Sequence, residues 1–246
     1  MARREAYLLA GPTASGKSAV AALLARRMGA AILSADSMLV YKGMDVGTAK
    51  PSPEERAEFD MGGIDLVTPA DHFSSGAWLR AAARWLAAVP AVRPVVIVGG
   101  TGLYFSALLR GLDRKWTLPP PAYPVLQLDR AVLHARIAAR LDGMFMQGLA
   151  AEVAELRRLY PVWSDTASAA IGYKEFIDGE DSARVREKIL VRTRQLAKRQ
   201  ETWFRHQATP LYVPVGETAA ETAENVWRTW REQGPWQVCL PEEGEA

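Results

Sequence analysis

A short stretch near the amino terminus has the composition of a phosphate-binding loop. Its Gly-x4-Gly-Lys-Ser spacing lets successive backbone N–H groups surround phosphate oxygens, with a lysine charge and a serine hydroxyl suited to Mg²⁺ beside them. A helix-forming run follows, and its positive end also points at the phosphate. The loop therefore predicts chemistry beside a polyphosphate, with Ser18 as the expected magnesium ligand. Its residues are Gly11, Pro12, Thr13, Ala14, Ser15, Gly16, Lys17 and Ser18.

Two further polar residues follow apolar runs and are candidates for catalysis. Asp36 comes after the second run, where a carboxylate could hold Mg²⁺ or accept a substrate proton. Thr101 lies in a glycine-rich turn after the third run, where its hydroxyl could bond a bridging or leaving oxygen. Each also has a purely structural interpretation, as a turn residue or helix cap. We expect Lys17, Asp36 and Thr101 to form the catalytic group.

Short apolar strands alternate with helical patterns, which predicts a parallel sheet covered on both faces. All strands of such a sheet deliver their carboxyl ends to one edge, where ligands collect. The expected fold class is α/β, a P-loop NTPase-like parallel sheet with additional C-terminal helices. The predicted strands are Tyr7–Ala10, Ala31–Ser34, Pro94–Val98, Val125–Leu128 and Leu211–Val213, and the predicted helices are Ser18–Arg27, Ser75–Ala88, Gly102–Leu109, Ala131–Met146, Leu149–Tyr160, Ser182–Arg205 and Thr218–Arg231.

Composition limits the function classes. The chain has 246 residues with 49% hydrophobic content, enough for a proper α/β core. Its formal charge of +2 is too small to indicate nucleic-acid binding by itself. Cys239 is the single cysteine, so an internal disulfide and a structural zinc site are excluded. No apolar run approaches the ~20 residues of a membrane-spanning helix, and we expect a cytoplasmic monomer.

A basic cluster lies on the long predicted helix 182–205. A solvated charged face is one interpretation of it. Because few acids stand at helical spacing, an anion such as polyphosphate or an RNA backbone is the other. The basic residues are Arg184, Arg186, Lys188, Arg192, Arg194, Lys198, Arg199 and Arg205, and the acids are Glu187 and Glu201. Helical spacing predicts an inward stripe made of Ile189, Thr193, Leu196, Gln200 and Trp203.

Aromatic residues near the motifs suggest an organic substrate. Trp203 with Phe204 could stack on a base or simply anchor the helix. Tyr41, Tyr104 and Tyr173 lie close to the motifs in sequence, and we expect them to line a substrate pocket.

Several sequence blocks together resemble the tRNA dimethylallyltransferases. The blocks occur in the family's order and span most of the chain. The resemblance implies transfer of a dimethylallyl group from dimethylallyl diphosphate to the exocyclic amine of the adenosine immediately 3′ of the anticodon. It implies Mg²⁺ as cofactor and the tRNA anticodon stem-loop as partner. The blocks are GPTASGKS at 11–18, SADSMLVYKGMDVGTAKP at 34–51, VGGTGLY at 98–104, IGYKE at 171–175 and TRQLAKRQETWFR at 193–205.

The same resemblance implies residue roles. Asp36 would be the general base and Thr101 a substrate contact, while Arg194 would join Lys17 and its loop in holding the diphosphate. The residues implied to contact tRNA are Asp36, Ser37, Met38, Leu39, Thr101, Gly172, Tyr173, Lys174, Lys198, Arg199, Gln200, Trp203 and Arg205.

The chain departs from the family between residues 111 and 124. Members usually carry a helical insertion there that grips the anticodon stem-loop, whereas this chain has only a short proline-rich connection. We therefore expect a core of 1–110 and 125–240, with the basic helix 182–205 in its second part, and a tail at 241–246. Without the insertion, the acceptor is open. The alternatives are prenylation of a free adenine nucleotide, a P-loop kinase of small molecules, and an inactive RNA-binding remnant.

Overall fold

A computed structural model describes residues 4–110, 122–179, 182–207 and 209–238. Residues 111–121 of the predicted connection and the predicted tail 241–246 lie outside these ranges. The described strands form one sheet. They are β1 (Arg4–Ala10), β2 (Ala31–Ala35), β3 (Met61–Gly62), β4 (Val95–Gly99), β5 (Tyr123–Gln127), β6 (Pro210–Pro214) and β7 (Trp236–Val238).

The helices lie between these strands, as the alternating sequence pattern predicts. The predicted long helices are all present within a few residues of their expected ends. The helices are α1 (Lys17–Met28), α2 (Pro53–Phe59), α3 (Ser75–Ala88), α4 (Gly102–Arg110), α5 (Arg130–Met146), α6 (Leu149–Leu159), α7 (Asp165–Ser168), α8 (Lys174–Ile177), α9 (Ser182–Arg205) and α10 (Ala219–Gln233). Of the helices in the described ranges, none has the length and apolarity needed to cross a membrane.

The sheet order is β3-β2-β4-β1-β5-β6, and all neighbours along this path are parallel. Strand β7 pairs antiparallel with the amino-terminal half of β1. Register aligns the ends of the three central strands, because Gly99 lies opposite both Ala10 and Ala35. The segments that follow β1, β2 and β4 therefore leave the sheet side by side at one edge.

Helices cover both faces of this sheet, which confirms the predicted fold class. Successive residues of each central strand alternate between two buried clusters, as the two-residue period of a strand requires. Leu8, Leu33 and Ile97 belong to one cluster, together with residues of α3, α4 and α9. Their neighbours in sequence, such as Leu9 and Val96, pack with α1 and α10 on the opposite face.

Five short elements were not predicted, namely α2, α7, α8, β3 and β7. The predicted strand Val125–Leu128 is present as β5, which begins two residues earlier and ends one residue earlier. Helix α2 starts at a capping box in which Ser52 accepts the Glu55 N–H and Glu55 accepts the Ser52 N–H. Strand β3 contains only two residues, too few for a periodic pattern. Strand β7 depends on pairing with the distant β1, which no local pattern reveals.

Candidate active site

The structure places Asp36 and Thr101 next to each other at the carboxyl edge of the sheet. The Thr101 side-chain oxygen accepts the Ser37 N–H at 2.9 Å and lies 3.3 Å from the Ser37 hydroxyl. The Thr101 N–H donates to the Ala35 carbonyl at 3.2 Å, which ties the two turns together. Asp36 Oδ1 accepts the Met38 N–H at 2.9 Å, so this carboxylate also closes a local turn. No described residue hydrogen-bonds to its second oxygen, which can therefore meet a substrate.

A cavity of about 550 Å³ joins these residues to the phosphate-binding loop. Thr13 and Ala14 of the loop line it, as do Asp36 and Thr101. Helices α5 and α9 supply much of the remaining wall, and residues of the segments 37–38, 47–48 and 165–172 contribute the rest. The apolar lining side chains are Met38, Ile137, Leu141, Met144, Ile171, Ile189 and Leu196. The cavity thus combines polar groups with an apolar wall, as small-molecule sites commonly do.

The phosphate-binding loop has the backbone conformation that its glycines predict. Gly16 has φ +89° immediately before α1, a left-handed conformation that glycine adopts without strain. Ala14 also has a positive φ of 61°. The Lys17 ammonium donates to the Pro12 carbonyl at 3.2 Å, back across the loop. Burial lowers the pKa of Lys17 to about 8, although nearby Asp36 opposes this shift.

Two arginines of α5 lie against this loop, and sequence reasoning missed both. Arg136 donates to the Ser15 carbonyl at 3.3 Å. Arg140 donates to the Thr13 hydroxyl at 3.2 Å and lines the cavity. Burial lowers the pKa of Arg140, while Asp36 is the carboxylate that raises it. The four-residue spacing of these arginines places both on one helix face, and that spacing was the available signal.

Arg194 is placed differently from these two arginines. Its charge lowers the pKa of His134 on α5, after the larger effect of burial, so Arg194 lies near that helix. Its Nε is buried and has no hydrogen-bond partner among the described residues. The predicted contact of Arg194 with a diphosphate stays a prediction.

Gln200 bridges the phosphate-binding loop and the glycine-rich turn. Its side-chain oxygen accepts the Thr13 N–H at 2.8 Å, and its amide donates to the Gly100 carbonyl at 3.0 Å. A Cβ at Gly100 would lie 2.6 Å from the Gln200 amide nitrogen, so a larger residue there would displace this amide. Gln200 was predicted to contact tRNA. Its hydrogen bonds hold the two loops together, and its predicted contact with tRNA stays a prediction.

Trp203 anchors α9, which favours the second interpretation of this residue. A Cβ on Gly102 would lie 2.4 Å from the Trp203 indole ring, so the indole occupies the space that a side chain at 102 would need. It also meets Phe204 edge to face, with ring centroids 5.0 Å apart. The predicted inward stripe of α9 is present, since Ile189, Thr193, Leu196 and Gln200 line the cavity.

The expectation that three tyrosines line the pocket is wrong. Tyr41 and Tyr173 are fully buried, and Tyr104 is nearly so, stacked on Trp78 at 4.5 Å. The Tyr173 hydroxyl donates to Glu152 at 2.6 Å. Its side chain is therefore not presented to an RNA. A tyrosine beside a motif carries enough apolar surface to belong to the core.

The other residues implied to contact tRNA lie in different environments. Ser37, Met38, Gly172 and Arg199 line the cavity. Lys198 and Arg205 are exposed on α9, while Leu39 and Lys174 are partly buried. Lys174 pairs with Asp178 at 3.0 Å.

Some basic residues of α9 find acids on other elements, which sequence spacing did not predict. Arg186 pairs with Asp142 of α5 at 2.6 Å. Arg192 pairs with Glu175 of α8 at 2.5 Å, and Glu175 is 2% exposed. The basic charge available to an anion is therefore smaller than the sequence suggests.

Among the described residues, no cluster of three or more His, Cys, Asp or Glu side chains could hold a metal ion. Ser18 lies exposed in the first turn of α1. Protein Mg²⁺ sites often use few protein oxygens together with substrate phosphates. A single hydroxyl beside a phosphate-binding loop fits that kind of site.

Comparison with known proteins decides the family. Residues 39–124 and 118–207 match the family described as IPP transferase, and residues 4–60 match the one described as isopentenyl transferase. The chain belongs to the IPP transferase family. The resemblance found in the sequence blocks is thereby confirmed, and so is the assignment to an enzyme class, the prenyltransferases.

Similar proteins and structures agree with this family. A tRNA dimethylallyltransferase of Stenotrophomonas maltophilia (strain K279a) is 34% identical over 282 residues, covering 81% of this chain and 89% of that protein. One from Thiobacillus denitrificans is 36% identical, covering 81% and 88%. The crystal structure of the full-length tRNA isopentenylpyrophosphate transferase from Bacillus halodurans is 25% identical, with a TM-score of 0.80, covering 94% of this chain and 98% of that one.

Proposed function

We propose that this chain transfers a dimethylallyl group from dimethylallyl diphosphate to the exocyclic amine of an adenosine in tRNA. The observation that carries the proposal is the shared cavity, which connects the phosphate-binding loop to Asp36 and Thr101. A donor bound at the loop would present its prenyl carbon to an acceptor bound at Asp36. The names of the similar proteins support the same activity.

The loop end of the cavity suits a diphosphate leaving group. Negative charge develops on the diphosphate as its bond to the prenyl carbon breaks, and preorganised cations stabilise that charge. Lys17, Arg136 and Arg140 all lie at this loop. The buried Nε of Arg194 has no partner in the part of the chain that the structure describes, which supports the prediction that it joins them, since buried donors normally have an acceptor.

The apolar wall suits the prenyl group. Ile137, Leu141 and Met144 of α5 extend from the same helix that carries Arg140. A branched five-carbon chain can pack against these side chains while its diphosphate occupies the loop. The wall also excludes water, which would otherwise compete with the acceptor for the prenyl carbon.

The Asp36 end suits an adenine amine as acceptor. This amine is a weak nucleophile because its lone pair is delocalised into the ring, so removing its proton as the bond forms lowers the barrier. The new bond joins the amine nitrogen to the prenyl carbon, the carbon–oxygen bond to diphosphate breaks, and Asp36 accepts the proton. Thr101, held by the Ser37 N–H, can donate a hydrogen bond from its hydroxyl to the bridging oxygen that departs, and the proton stays on the hydroxyl.

Magnesium is the proposed cofactor, held by Ser18 and by the diphosphate oxygens. When bound, it would neutralise part of the leaving group's charge. The residues of this chain then orient the donor and remove the acceptor proton.

The proposed acceptor is the adenosine immediately 3′ of the anticodon, and the proposed partner is the anticodon stem-loop. The target base must leave its stack to enter the cavity, which costs a few kcal/mol and is offset by contacts to the enzyme. Exposed Lys198, Arg199 and Arg205 can contact the RNA backbone. We also propose that the protein acts as a cytoplasmic monomer.

A free adenine nucleotide is the second candidate acceptor. The IPP transferase family matches this chain in two segments, and these segments overlap at 118–124, inside the predicted short connection. Moreover, the 282 aligned positions exceed the 246 residues of this chain, so that relative has residues without a counterpart here. A missing insertion would weaken the grip on a stem-loop while leaving the donor site unchanged.

Mass analysis of nucleosides separates these acceptors. The protein is incubated with dimethylallyl diphosphate, Mg²⁺ and either unmodified tRNA or AMP. We expect prenylated adenosine in the tRNA and little product from AMP. Product from AMP alone would replace tRNA as the acceptor, and absence of product from both would refute the proposed function.

A further inference from the structure

Glu152 on α6 lies outside the cavity lining, yet its carboxylate accepts an unusual number of hydrogen bonds. Three successive backbone N–H groups donate to it, from Asp45 at 3.0 Å, Val46 at 2.7 Å and Gly47 at 3.1 Å. The Tyr173 hydroxyl adds a fourth at 2.6 Å. Hydrogen bonds to an ionised acceptor are stronger than neutral ones, so this carboxylate fixes the loop 45–48 firmly.

The loop 45–48 is packed as well as hydrogen-bonded. A Cβ at Gly47 would lie 2.5 Å from the Tyr173 ring, so only glycine allows the loop to approach this closely. The Thr48 hydroxyl donates to the Met44 carbonyl at 2.6 Å, which closes the loop on itself. These contacts leave one backbone position for Gly47 and Thr48, both of which line the cavity.

The loop in turn holds Arg140. One amino group of the guanidinium donates to the Thr48 carbonyl at 3.2 Å, and the other donates to the Thr13 hydroxyl at 3.2 Å. Arg140 therefore hydrogen-bonds to both the loop 45–48 and the phosphate-binding loop. A continuous series of contacts runs from Glu152 through backbone 45–48 to Arg140.

We infer that Glu152 is a positioning residue for Arg140, and that it sets the geometry of the diphosphate site without touching substrate. The inference rests on the proposed function only in naming the ligand as a diphosphate. If the carboxylate is lost, the loop 45–48 shifts, the Thr48 carbonyl moves, and Arg140 loses one of its two anchors. Misplacement of a charge-stabilising group by about 1 Å can cost about 100-fold in rate.

The test is a double-mutant cycle between Glu152→Gln and Arg140→Met. The glutamine has the same shape, but its amino group cannot accept the loop N–H groups. We expect Glu152→Gln to weaken inorganic pyrophosphate binding, measured by calorimetry, about tenfold in the otherwise unchanged protein. In the Arg140→Met background the same substitution should change pyrophosphate binding less than about twofold, because coupled residues are not additive.

Glu155→Gln on the same helix is the matched control. Glu155 is exposed and pairs only with Arg158 among the described residues, at 2.7 Å. This variant should bind pyrophosphate like the parent protein. If Glu152→Gln does not fold, Glu152→Asp replaces it, since the shorter side chain keeps the charge but cannot reach all four donors. Glu152→Asp should lose less pyrophosphate affinity than Glu152→Gln, and the loss should again be non-additive with that of Arg140→Met.

Equal losses from the Glu152 substitution in both backgrounds would overturn the inference, because they would show a general effect on the fold. An unchanged affinity in the folded Glu152→Gln variant would overturn it too. Pyrophosphate binding needs no prenyl transfer, so these outcomes are separate from a failure of the proposed function, which is the absence of prenylated nucleoside. With that activity present, the variant should lower kcat/KM for the prenyl donor about tenfold and leave KM for tRNA unchanged.

Discussion

The two ends of the cavity differ in how they are built. At the donor end, Lys17 and Arg140 are held by backbone and side-chain hydrogen bonds beside a glycine-rich loop. The lining residues Asp165, Thr166 and Arg199 are exposed, and we assign them to the acceptor end. The donor end is preorganised for one small charged group, whereas the acceptor end is open to a larger partner.

This difference assigns the chemical step to the preorganised end and the recognition of the partner to the exposed end. A preorganised site pays no reorganisation at the moment of reaction, so changes there should affect kcat. An exposed site contributes mainly screened contacts to an RNA backbone, so changes there should affect affinity and its salt dependence. Substitutions at the preorganised end that change only affinity, or at the exposed end that change kcat, would contradict this division.

The largest effect is expected from Asp36→Asn, at the junction of the two ends. Loss of a positioned general base typically lowers the rate about 10²–10⁴-fold. Pyrophosphate affinity should fall little, because the substitution removes a negative charge and keeps the cations Lys17 and Arg140, although Asp36 interacts with both. Rapid-quench kinetics and calorimetry measure the two quantities. Asp142→Asn, which removes an exposed carboxylate of α5, is the control and should leave both unchanged.

A matched pair of arginine substitutions compares the ends directly. Arg140→Lys keeps the charge but loses the two-armed contact to Thr13 and Thr48, and should lower kcat/KM for the prenyl donor about 10²-fold. Arg192→Lys makes the same change where the arginine pairs with Glu175. It should change that parameter less than about threefold. Comparable losses in both variants would contradict a preorganised donor end.

The pH dependence of donor binding follows from Lys17. Burial lowers the pKa of Lys17 to about 8, so the free protein holds this proton only below about pH 8. An anionic donor prefers the charged lysine. Loss of the Lys17 proton should therefore raise the pyrophosphate dissociation constant above pH 8, by up to about tenfold per pH unit. Lys17→Arg should remove this dependence, since arginine stays protonated; a persisting slope would exclude Lys17 as its source.

Gly100→Ala should disturb the bridge made by Gln200. The new Cβ would lie 2.6 Å from the Gln200 amide nitrogen, so Gln200 must move and release the Thr13 N–H. We expect kcat to fall about tenfold, with partial recovery in a Gly100→Ala, Gln200→Ala double variant that removes the clash. A double variant slower than either single one would show that steric relief is unimportant.

The smallest effect is expected at the RNA-facing end. Arg199→Gln should weaken tRNA binding a few-fold and reduce the slope of log affinity against log salt by about one. Pyrophosphate affinity should stay the same. Filter-binding titrations at several salt concentrations measure the slope. An unchanged slope would mean that Arg199 makes no phosphate contact.

Sequence patterns predicted the convergence of the donor loop, Asp36 and Thr101, because each follows a strand and parallel strands deliver their carboxyl ends to one edge. They did not reveal Arg136 and Arg140, because arginines on an alanine-rich helix normally indicate a solvated face. Only the packing of α5 on the loop shows their role.

Glu152 left no sequence signal at all. Its partners are mainly backbone N–H groups, which every residue except proline has. Tyr173 shows the opposite case. Its position in a motif suggested substrate contact, whereas its ring packs against Gly47 and its hydroxyl serves Glu152.

The central claim is that the loop holds a diphosphate leaving group while Asp36 takes the acceptor proton. Its most direct test measures pyrophosphate release and prenylated adenosine together, with dimethylallyl diphosphate and tRNA as substrates. The account predicts that both appear in equal amounts and that Asp36→Asn stops both. Phosphate transfer from ATP to a small metabolite, with no prenylated nucleoside formed, would contradict it.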